Sequence, residues 1–371
     1  MPLSKIVANS ITDNTITTDQ IADTSVHGQR NLTINGAMQV AQRGAAGGTV
    51  TNTAGYRSVD RYKTDIDGSG GGDFSHAQVE DAPLGQGFKY ASKITTVTQA
   101  SQPTSESNRH QFYTLLEKQN TFHLDWGTSA AKTCTLSFWV KGSVTGIYNM
   151  MFAHYGGSGG STATYYYFTN YTINSANTWE KKTITVTGPT VGGNGVNERD
   201  DTTFGTRIEW AIGIGSDAET GTLEEWTTSS TYRTAPNSVY LPENAGATLY
   251  ITGVQFEVGD KATPFEHRSF GDELARCQRY YQRYNSSSGK ALIFAGDVTS
   301  GDNYFFNGTL VETMRTAPTL SLIGSLSDSG FNGATFATEH MTTSTIRAYA
   351  TSSSTGARRY FQFNCDLDAE L

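Results

Sequence analysis

The segment Thr133–Lys141, TCTLSFWVK, carries an apolar side chain at every second position. Cys134, Leu136, Phe138 and Val140 therefore fall on one side of an extended strand, which is the period of a half-buried β-strand. Three further segments have a similar character: residues 179–187, 206–214 and 247–258. Because Gly, Asn, Asp and Pro clusters bound many such short runs between residues 31 and 265, the sequence predicts an all-β sandwich or barrel there.

The composition supports strands and turns. The 371 residues include 39 Gly, 19 Tyr and 18 Phe, and only 17% are charged. A chain of this length exceeds the roughly 250 residues that one core usually serves, so more than one domain is expected. We predict a β-sandwich over residues 31–268, a short helical connector over 269–285 and a smaller C-terminal β-sandwich over 286–371.

The connector is predicted from Phe270 to Tyr284, FGDELARCQRYYQRY. Two acidic residues lie in its first turn, and apolar or aromatic residues follow at helical spacing. Those spaced residues are Leu274, Cys277, Tyr281 and Tyr284. Beyond it, six strands are predicted over residues 290–298, 303–313, 319–326, 334–338, 344–351 and 358–364, which suffice for a second sandwich.

The first 30 residues show a different period. Branched aliphatic residues recur every five positions among polar ones, at Ile6, Ile11, Ile16, Ile21 and Val26. One aliphatic side chain in five residues contributes about 2 kcal/mol of burial, which does not offset about 1–2 kcal/mol of backbone entropy per ordered residue. We therefore predict an extended segment whose aliphatic residues meet around the axis of a homotrimer. A disordered polar leader is the alternative.

Several functional classes are disfavoured by composition. A net charge of -8 gives no general attraction to phosphate backbones, so nucleic acid is not an expected ligand. Cys134, Cys277 and Cys365 are odd in number and far apart, which predicts buried free thiols. No apolar run approaches the roughly 18 residues of a membrane span, and the chain does not begin with a basic then apolar leader. A soluble protein made in a cytosol, without membrane insertion, is expected.

Four sequence blocks follow one another between residues 31 and 281. They are NLTINGAMQVAQRG from Asn31 with YRSVDRY from Tyr56, LSFWVK from Leu136, ITGVQFEVG from Ile251 with ATPFE from Ala262, and ELARCQRYY from Glu273. In this order they resemble the sandwich domain of bacteriophage tail-fibre and appendage proteins. Where that family typically has Leu and Trp, this chain has Phe256 and Tyr62, which keep the apolar or aromatic character. Within the first block, Asp60 and Arg61 predict a local ion pair, with a weak surface pair as the simplest interpretation.

The resemblance implies a jelly-roll sandwich like that of carbohydrate-binding modules, in a homotrimeric fibre on a virion assembled from chains made in the host cytoplasm. It further implies that residues 1–30 meet other virion proteins and that host surface polysaccharide is the ligand. Two other functions stay open. One is a purely structural head-fibre, decoration or tail appendage protein without receptor binding, and the other is a glycan depolymerase.

Sugar recognition needs aromatic rings that stack on pyranose faces, together with polar groups for the hydroxyls. Tyr165, Tyr166, Tyr167 and Phe168 are consecutive, and neighbouring strand positions cannot all face one core. The predicted glycan-binding residues are Tyr166, Tyr167, Tyr171, Trp226, Tyr232, Tyr304 and Asn307. A place in the core or in a subunit interface is the alternative for each of them.

No catalytic centre or cofactor is predicted. A depolymerase requires two carboxylates across a cleft, whereas the acid pairs Glu224–Glu225 and Asp200–Asp201 are sequence neighbours that would point apart on a strand or be solvated in a loop. The seven histidines show no zinc-binding spacing. A structural calcium ion in the Asp200–Asp201 loop or in the loop of residues 65–73 is left open, although neither matches a dedicated calcium loop.

Overall fold

The structure is a computed structural model. It describes residues 30–51, 53–68, 71–156, 164–192, 202–219, 222–286 and 290–371, apart from the side chains of 333–335. The predicted trimer-axis residues Ile6, Ile11, Ile16, Ile21 and Val26 lie outside the described residues, as does the Asp200–Asp201 pair. The trimeric segment therefore stays a prediction.

The described residues are dominated by β-strands. In chain order the elements are β1 (Ala46–Val50), β2 (Gly55–Tyr56), β3 (Tyr62–Asp67), β4 (Asp73–Val79), β5 (Ala91–Thr98), β6 (Arg109–Glu117), α1 (Lys118–Thr121), β7 (Thr133–Gly142), β8 (Gly146–Tyr155), β9 (Thr164–Ile173), β10 (Glu180–Thr187), β11 (Phe204–Ile214), β12 (Trp226–Thr227), β13 (Thr248–Val258), α2 (Phe270–Gln278), β14 (Tyr281–Tyr284), β15 (Leu292–Val298), β16 (Asn303–Thr309), β17 (Thr319–Leu322), β18 (Ser327–Ser329), β19 (Phe331–Thr338), β20 (Thr345–Ser352), β21 (Gly356–Phe363) and β22 (Cys365–Asp368). The all-β prediction is confirmed.

Two antiparallel sheets form the larger unit. A six-stranded sheet has the order β1-β4-β5-β13-β7-β10, and a seven-stranded sheet has the order β12-β9-β8-β11-β6-β3-β2. The four segments that the sequence predicted as strands are β7, β10, β11 and β13. Because β5 pairs with β13 and β6 with β11, the contacts that close this sandwich join segments more than 80 residues apart in sequence.

The core between the two sheets is rich in aromatic rings. Phe138 meets Trp210 edge to face with ring centroids 5.4 Å apart, and Tyr62 stacks on Phe112 at 5.2 Å. Leu136, Phe138 and Val140 are fully buried, as their alternation in β7 predicted. Such interlocking rings each bury a large apolar area and fix the spacing of the two sheets.

The predicted helical connector is correct only in its first half. The helix α2 begins with Ser269, whose side chain caps the backbone N–H of Asp272 at 3.2 Å, and it ends at Gln278. Residues predicted as its last turns form β14 instead, which pairs with β22. Tertiary contact explains the difference, because the Tyr281 ring lies under the Arg43 guanidinium at 3.6 Å from its centroid.

The smaller unit contains three three-stranded sheets, β14-β22-β17, β15-β21-β18 and β16-β20-β19. They enclose a second core that includes Phe331, Phe361 and Phe363. The six strands predicted here correspond to β15, β16, β17, β19, β20 and β21, although β16 and β17 end earlier than predicted. Three short strands, β14, β18 and β22, were not predicted, and the domain limits at residues 268 and 285 stay predictions.

Arg61 joins the two units through a buried network. Its side chain is 1% exposed and pairs with the Glu370 carboxylate, while its guanidinium carbon lies 3.4 Å from the centroid of the Tyr280 ring. The predicted local pair of Arg61 with Asp60 is wrong. Asp60 instead accepts a hydrogen bond from the Gln42 side chain at 2.6 Å and lies 3.7 Å from the Arg43 guanidinium, because the turn at Asp60 and Arg61, with Arg61 at φ 71°, directs the two side chains to different partners.

The first sequence block, which begins at Asn31, packs against strand β13. The Asn31 side chain donates to the Val254 carbonyl at 3.0 Å and accepts from the Phe256 N–H at 3.1 Å. A Cβ at Gly36 would lie 2.0 Å from the Val254 oxygen, so only glycine lets the two chains approach this closely. These two residues of the block thus attach the start of the sandwich to β13.

The three cysteines are buried and free, as predicted. Among the described residues, no helix is long and apolar enough to cross a membrane.

Candidate functional site

A cleft opens where the edges of the two large sheets meet. It lies between β10, the last strand of the six-stranded sheet, and β9 with β12, the last strands of the seven-stranded sheet. Its volume is ≈ 550 Å³, and its lining consists of Tyr165, Tyr167, Thr185, Thr187, Gly188, Pro189, Thr190, Val191, Glu224 and Trp226. We call it the tyrosine cleft.

The aromatic rings of the tyrosine cleft are placed side by side by strand geometry. Tyr165 and Tyr167 alternate along β9, so they share one side of the strand, and Trp226 of β12 is the register partner of Tyr167. The rings of Tyr167 and Trp226 have centroids 5.4 Å apart and are tilted by 49°. All three side chains are half-buried, which leaves part of each ring open to the cleft.

The Trp226 ring is held in place from two directions. Its indole N–H donates to the carbonyl oxygen of Thr187 at 2.7 Å, which ties β12 to the edge of the other sheet. Behind it, the buried Trp126 ring meets it edge to face with centroids 5.4 Å apart. A ring that is already fixed loses little conformational entropy when a ligand stacks on it.

Polar groups border these rings. Glu224 adopts a left-handed backbone with φ 63°, its N–H donates to the Phe168 carbonyl at 2.8 Å, and its carboxylate is exposed at the cleft. Burial, with a contribution from the Glu224 carboxylate, raises the pKa of Tyr167. The phenol therefore stays protonated at neutral pH and can donate a hydrogen bond, while Glu224 can accept one.

Tyr166 lies on the opposite face of β9 from Tyr167. It is half-buried and stacks on Phe168 with ring centroids 6.2 Å apart. It therefore does not contribute to the tyrosine cleft, although its ring is partly accessible on the outer face of the seven-stranded sheet.

Two predicted ligand residues are buried, which corrects the prediction for them. Tyr171 is 6% exposed and stacks on Tyr148 in the core, and Tyr232 is 1% exposed and packs on Phe168. Neither offers a ring face to a sugar. In both cases the alternative interpretation, a place in a hydrophobic core, is the one that the structure shows.

The C-terminal candidates, Tyr304 and Asn307, do not line the tyrosine cleft. Tyr304 packs against Phe294 and Phe331, with ring centroids 5.6 and 5.9 Å away, and its hydroxyl accepts from the Thr299 N–H at 2.7 Å. Asn307 is exposed beside a shallow cavity of ≈ 330 Å³ that His340 and Arg347 also line. This cavity presents no stacking platform of the kind found in the tyrosine cleft.

A second aromatic cleft lies on the outer face of the six-stranded sheet and was not predicted. Its volume is ≈ 840 Å³, and it is lined by Glu80, Asp81, Ala82, Pro83, Leu84, Phe88, Lys89, Trp139 and Trp179. We call it the tryptophan cleft. The signal was present in the alternation of β7, because the pattern that buries Phe138 and Val140 turns Trp139 to the other face.

Hydrogen bonds to a charged group hold part of the tryptophan cleft in place. Asp81 accepts hydrogen bonds from the Trp179 indole N–H at 3.3 Å and from the Lys141 ammonium at 2.5 Å. Gly253 is at φ 61°, and a Cβ there would lie 2.7 Å from the Phe88 ring and 3.0 Å from that of Trp139. The bulge at Gly253 in β13 therefore makes room for both rings.

The five tryptophans divide cleanly between core and clefts. Trp126 and Trp210 are buried. Trp139, Trp179 and Trp226 are half-buried, and each of them lines one of the two clefts. Partly exposed tryptophan is costly to leave in water, so its placement in concave surfaces favours a binding function.

Clusters of metal-binding side chains are absent from the part of the chain that the structure describes. No group of three or more His, Cys, Asp or Glu lies close enough there to hold a metal ion. The adjacent acids Glu224 and Glu225 have different surroundings. Glu224 lines the tyrosine cleft, whereas Glu225 pairs with Arg233 at 3.1 Å.

Comparison with known proteins gives only distant likenesses. No family model matches the chain, and no curated protein does. Among solved structures it is similar to the enzymatically active domain of bacteriophage CBA120 tailspike protein 4, with 12% identity, 62% of this chain and 21% of that chain covered, and a TM-score of 0.34. A putative sugar binding protein from Bacteroides thetaiotaomicron shows 13% identity, coverage of 62% and 100%, and a TM-score of 0.33.

TmCBM61, solved with β-1,4-galactotriose, shows 11% identity, coverage of 63% and 100%, and a TM-score of 0.28. The chain thus spans about a fifth of the tailspike chain that it matches. At such values, the function of this protein has to be inferred from its own clefts.

Proposed function

We propose that this protein binds glycan in the tyrosine cleft without cleaving it, as part of a tail-fibre-like protein that attaches a virus particle to its host. The observation that carries the proposal is the Tyr167–Trp226 pair, two rings 5.4 Å apart that are fixed by their own contacts and open to a concave surface. Glu224 and the threonine hydroxyls beside it supply polar partners for sugar hydroxyls.

The attachment role rests on the sequence blocks that resemble phage appendage proteins. A bacteriophage tailspike domain and a putative sugar binding protein are among the solved structures similar to this chain. If three copies share an axis through residues 1–30, three weak sites act together and raise the overall affinity by effective concentration. Non-catalytic binding is the simpler function, since the adjacent acids Glu224 and Glu225 make separate contacts.

The test is binding of the whole protein to an array of bacterial O-antigens and capsular polysaccharides. For a polysaccharide that binds, Trp226→Ala is expected to weaken binding by about 2 kcal/mol or more, roughly 30-fold in Kd, because the central stacking surface is lost. Trp226→Phe keeps a ring and should retain part of the affinity. Phe270→Ala, which removes an exposed ring at 56% exposure outside both clefts, serves as the control.

Two results would contradict the proposal. One is a wild-type protein that binds no polysaccharide on the array, which would favour a purely structural appendage. The other is a Trp226→Ala variant, shown to be folded by circular dichroism, that binds as tightly as the wild type. Shortened polysaccharide chains after incubation with the protein would instead assign it as a depolymerase.

A further inference from the structure

We propose that the tyrosine cleft and the tryptophan cleft are the two ends of one extended site, which binds a neutral oligosaccharide chain along the outer face of β10. This inference rests on the proposed glycan binding and adds the length and charge class of the ligand. A single cleft would bind one or two sugar units, whereas the extended site binds a chain that reaches from one cleft to the other.

The register of β10 places one row of its side chains on the outer face of the six-stranded sheet, the face that holds the tryptophan cleft, and the tyrosine cleft opens at the far end of that row. Lys181 of β10 lies opposite Trp139 of β7, and Thr187 lies opposite Thr133. Opposed residues in an antiparallel pair point to the same side, so Lys181 shares the outer face with Trp139. The alternation of the strand then puts Thr183, Thr185 and Thr187 on that face as well.

Each end of this row belongs to one of the clefts. Trp179, immediately before β10, lines the tryptophan cleft together with Trp139. At the other end, Thr185 and Thr187 line the tyrosine cleft. From Trp179 to Thr187 the strand advances eight residues, which at about 3.3 Å per residue is roughly 26 Å. That distance exceeds any monosaccharide and corresponds to a chain of several units.

The surface between the clefts is open and polar. Lys181, Thr183 and Thr185 are exposed, and β10 is an edge strand of its sheet. A further cavity of ≈ 400 Å³, which Ser137, Trp139 and Lys181 line, continues the tryptophan cleft toward the middle of the row. Small hydroxyl-bearing side chains on this path leave room for a sugar chain and can hydrogen-bond to it.

The charges along the path favour a neutral chain. In the tryptophan cleft, Asp81 is paired with Lys141 at 2.5 Å and Glu80 with Lys89 at 3.1 Å, so its charges are internally matched. Between the tryptophan cleft and the tyrosine cleft, Lys181 adds one positive charge on β10, and Glu224 adds one negative charge at the tyrosine cleft. Without an excess of either sign, the site has no electrostatic means of selecting an acidic or a basic polysaccharide.

Calorimetric titration with oligosaccharides of one to eight units, prepared from neutral β-glucan, mannan and galactan, tests the inference on the full-length protein. For a series that binds, we expect the affinity to rise at least tenfold from short to long members and then to level off. Trp179→Ala should remove this gain while leaving the affinity for the shortest bound members unchanged, and Trp226→Ala should weaken both.

A second variant does not depend on removing a cleft ring. Thr183→Trp places a bulky side chain on an exposed position of the edge strand, between the clefts, where it is compatible with strand structure. It should lower the affinity for long chains by about tenfold or more and spare short ones. Phe270→Ala is again the control, with no change expected at any length.

The outcomes separate this inference from the proposed function. If short and long oligosaccharides bind equally, or if Thr183→Trp and Trp179→Ala leave long-chain binding unchanged, the extended site is wrong and the tyrosine cleft alone binds glycan. If only charged polysaccharides bind, the neutral class is wrong. If the wild type binds neither the neutral series nor the bacterial polysaccharides, the proposed function fails together with the inference.

Discussion

Replacing Glu370 by Gln is expected to lower the free energy of unfolding by about 3–5 kcal/mol, because it leaves the Arg61 guanidinium buried without its charge partner. Arg61 is 1% exposed and Glu370 is 4% exposed, so water cannot replace the lost carboxylate without opening the structure. The remaining contacts of Arg61, a hydrogen bond to the Leu115 carbonyl at 2.7 Å and the Tyr280 ring, do not neutralise its charge.

Urea unfolding of Glu370→Gln and wild-type protein, followed by tryptophan fluorescence, measures this effect. The matched control is Glu80→Gln, which removes the same charge from the exposed Lys89–Glu80 pair, with side chains 63% and 65% exposed. That variant should stay within about 0.5 kcal/mol of the wild type. Equal stabilities for Glu370→Gln and Glu80→Gln would show that the buried pair does not stabilise the junction between the units.

Acidification is expected to destabilise the sandwich through His76. Burial, and to a lesser degree the nearby Arg57 guanidinium, lowers the pKa of His76 from 6.5 to about 3. Below pH 6.5 the unfolded chain therefore binds more protons than the folded protein at this site. The stabilising contribution of neutral His76 is complete above pH 6.5, declines by up to about 1.4 kcal/mol per pH unit on acidification, and is lost by about pH 3.

The variant His76→Gln isolates this contribution. Its free energy of unfolding should change less than that of the wild type between pH 6 and pH 4, by about 2–3 kcal/mol in total. His340→Gln, which removes an exposed histidine, should follow the wild-type curve. Identical pH dependence in wild type and His76→Gln would contradict the assignment.

Comparison between variants is needed because Asp60 changes the free energy of unfolding in the opposite direction to His76 between pH 6 and pH 4. Burial raises the pKa of Asp60 from 3.8 to about 6. Its contribution is complete below pH 3.8 and is lost as the pH rises through 6. Since Asp60 is present in all three proteins, its effect cancels in the difference between their curves.

Local periodicity was enough to predict ten of the 22 strands that the described residues form. The alternation in Thr133–Lys141 identified both the strand and the residues that it buries, because a two-residue period admits one assignment of faces. The helix α2 was predicted from its acidic first turn, but its end was not. Tyr281 has helical spacing from Cys277, but it pairs with Asp368 of β22, more than 80 residues later in the chain, and local spacing does not reveal such a partner.

The candidate site was predicted in part. Tyr167 and Trp226 were among the predicted glycan-binding residues, and the structure brings them together by strand register. Tyr171 and Tyr232 were predicted with them but are buried, because the sequence alone does not tell which partners cover a ring. Trp139 was overlooked although its position in the alternation placed it outside the core.

Nuclear magnetic resonance gives the most direct test of glycan binding at the tyrosine cleft. The five indole N–H signals of the ¹⁵N-labelled protein are followed during titration with a polysaccharide fragment that binds. A ligand in the proposed site must shift the signal of Trp226 and, for a long chain, those of Trp179 and Trp139. The buried Trp126 and Trp210 should respond less. Binding that leaves the Trp226 signal unchanged would contradict glycan binding in the tyrosine cleft, because the glycan would then lie elsewhere on the protein.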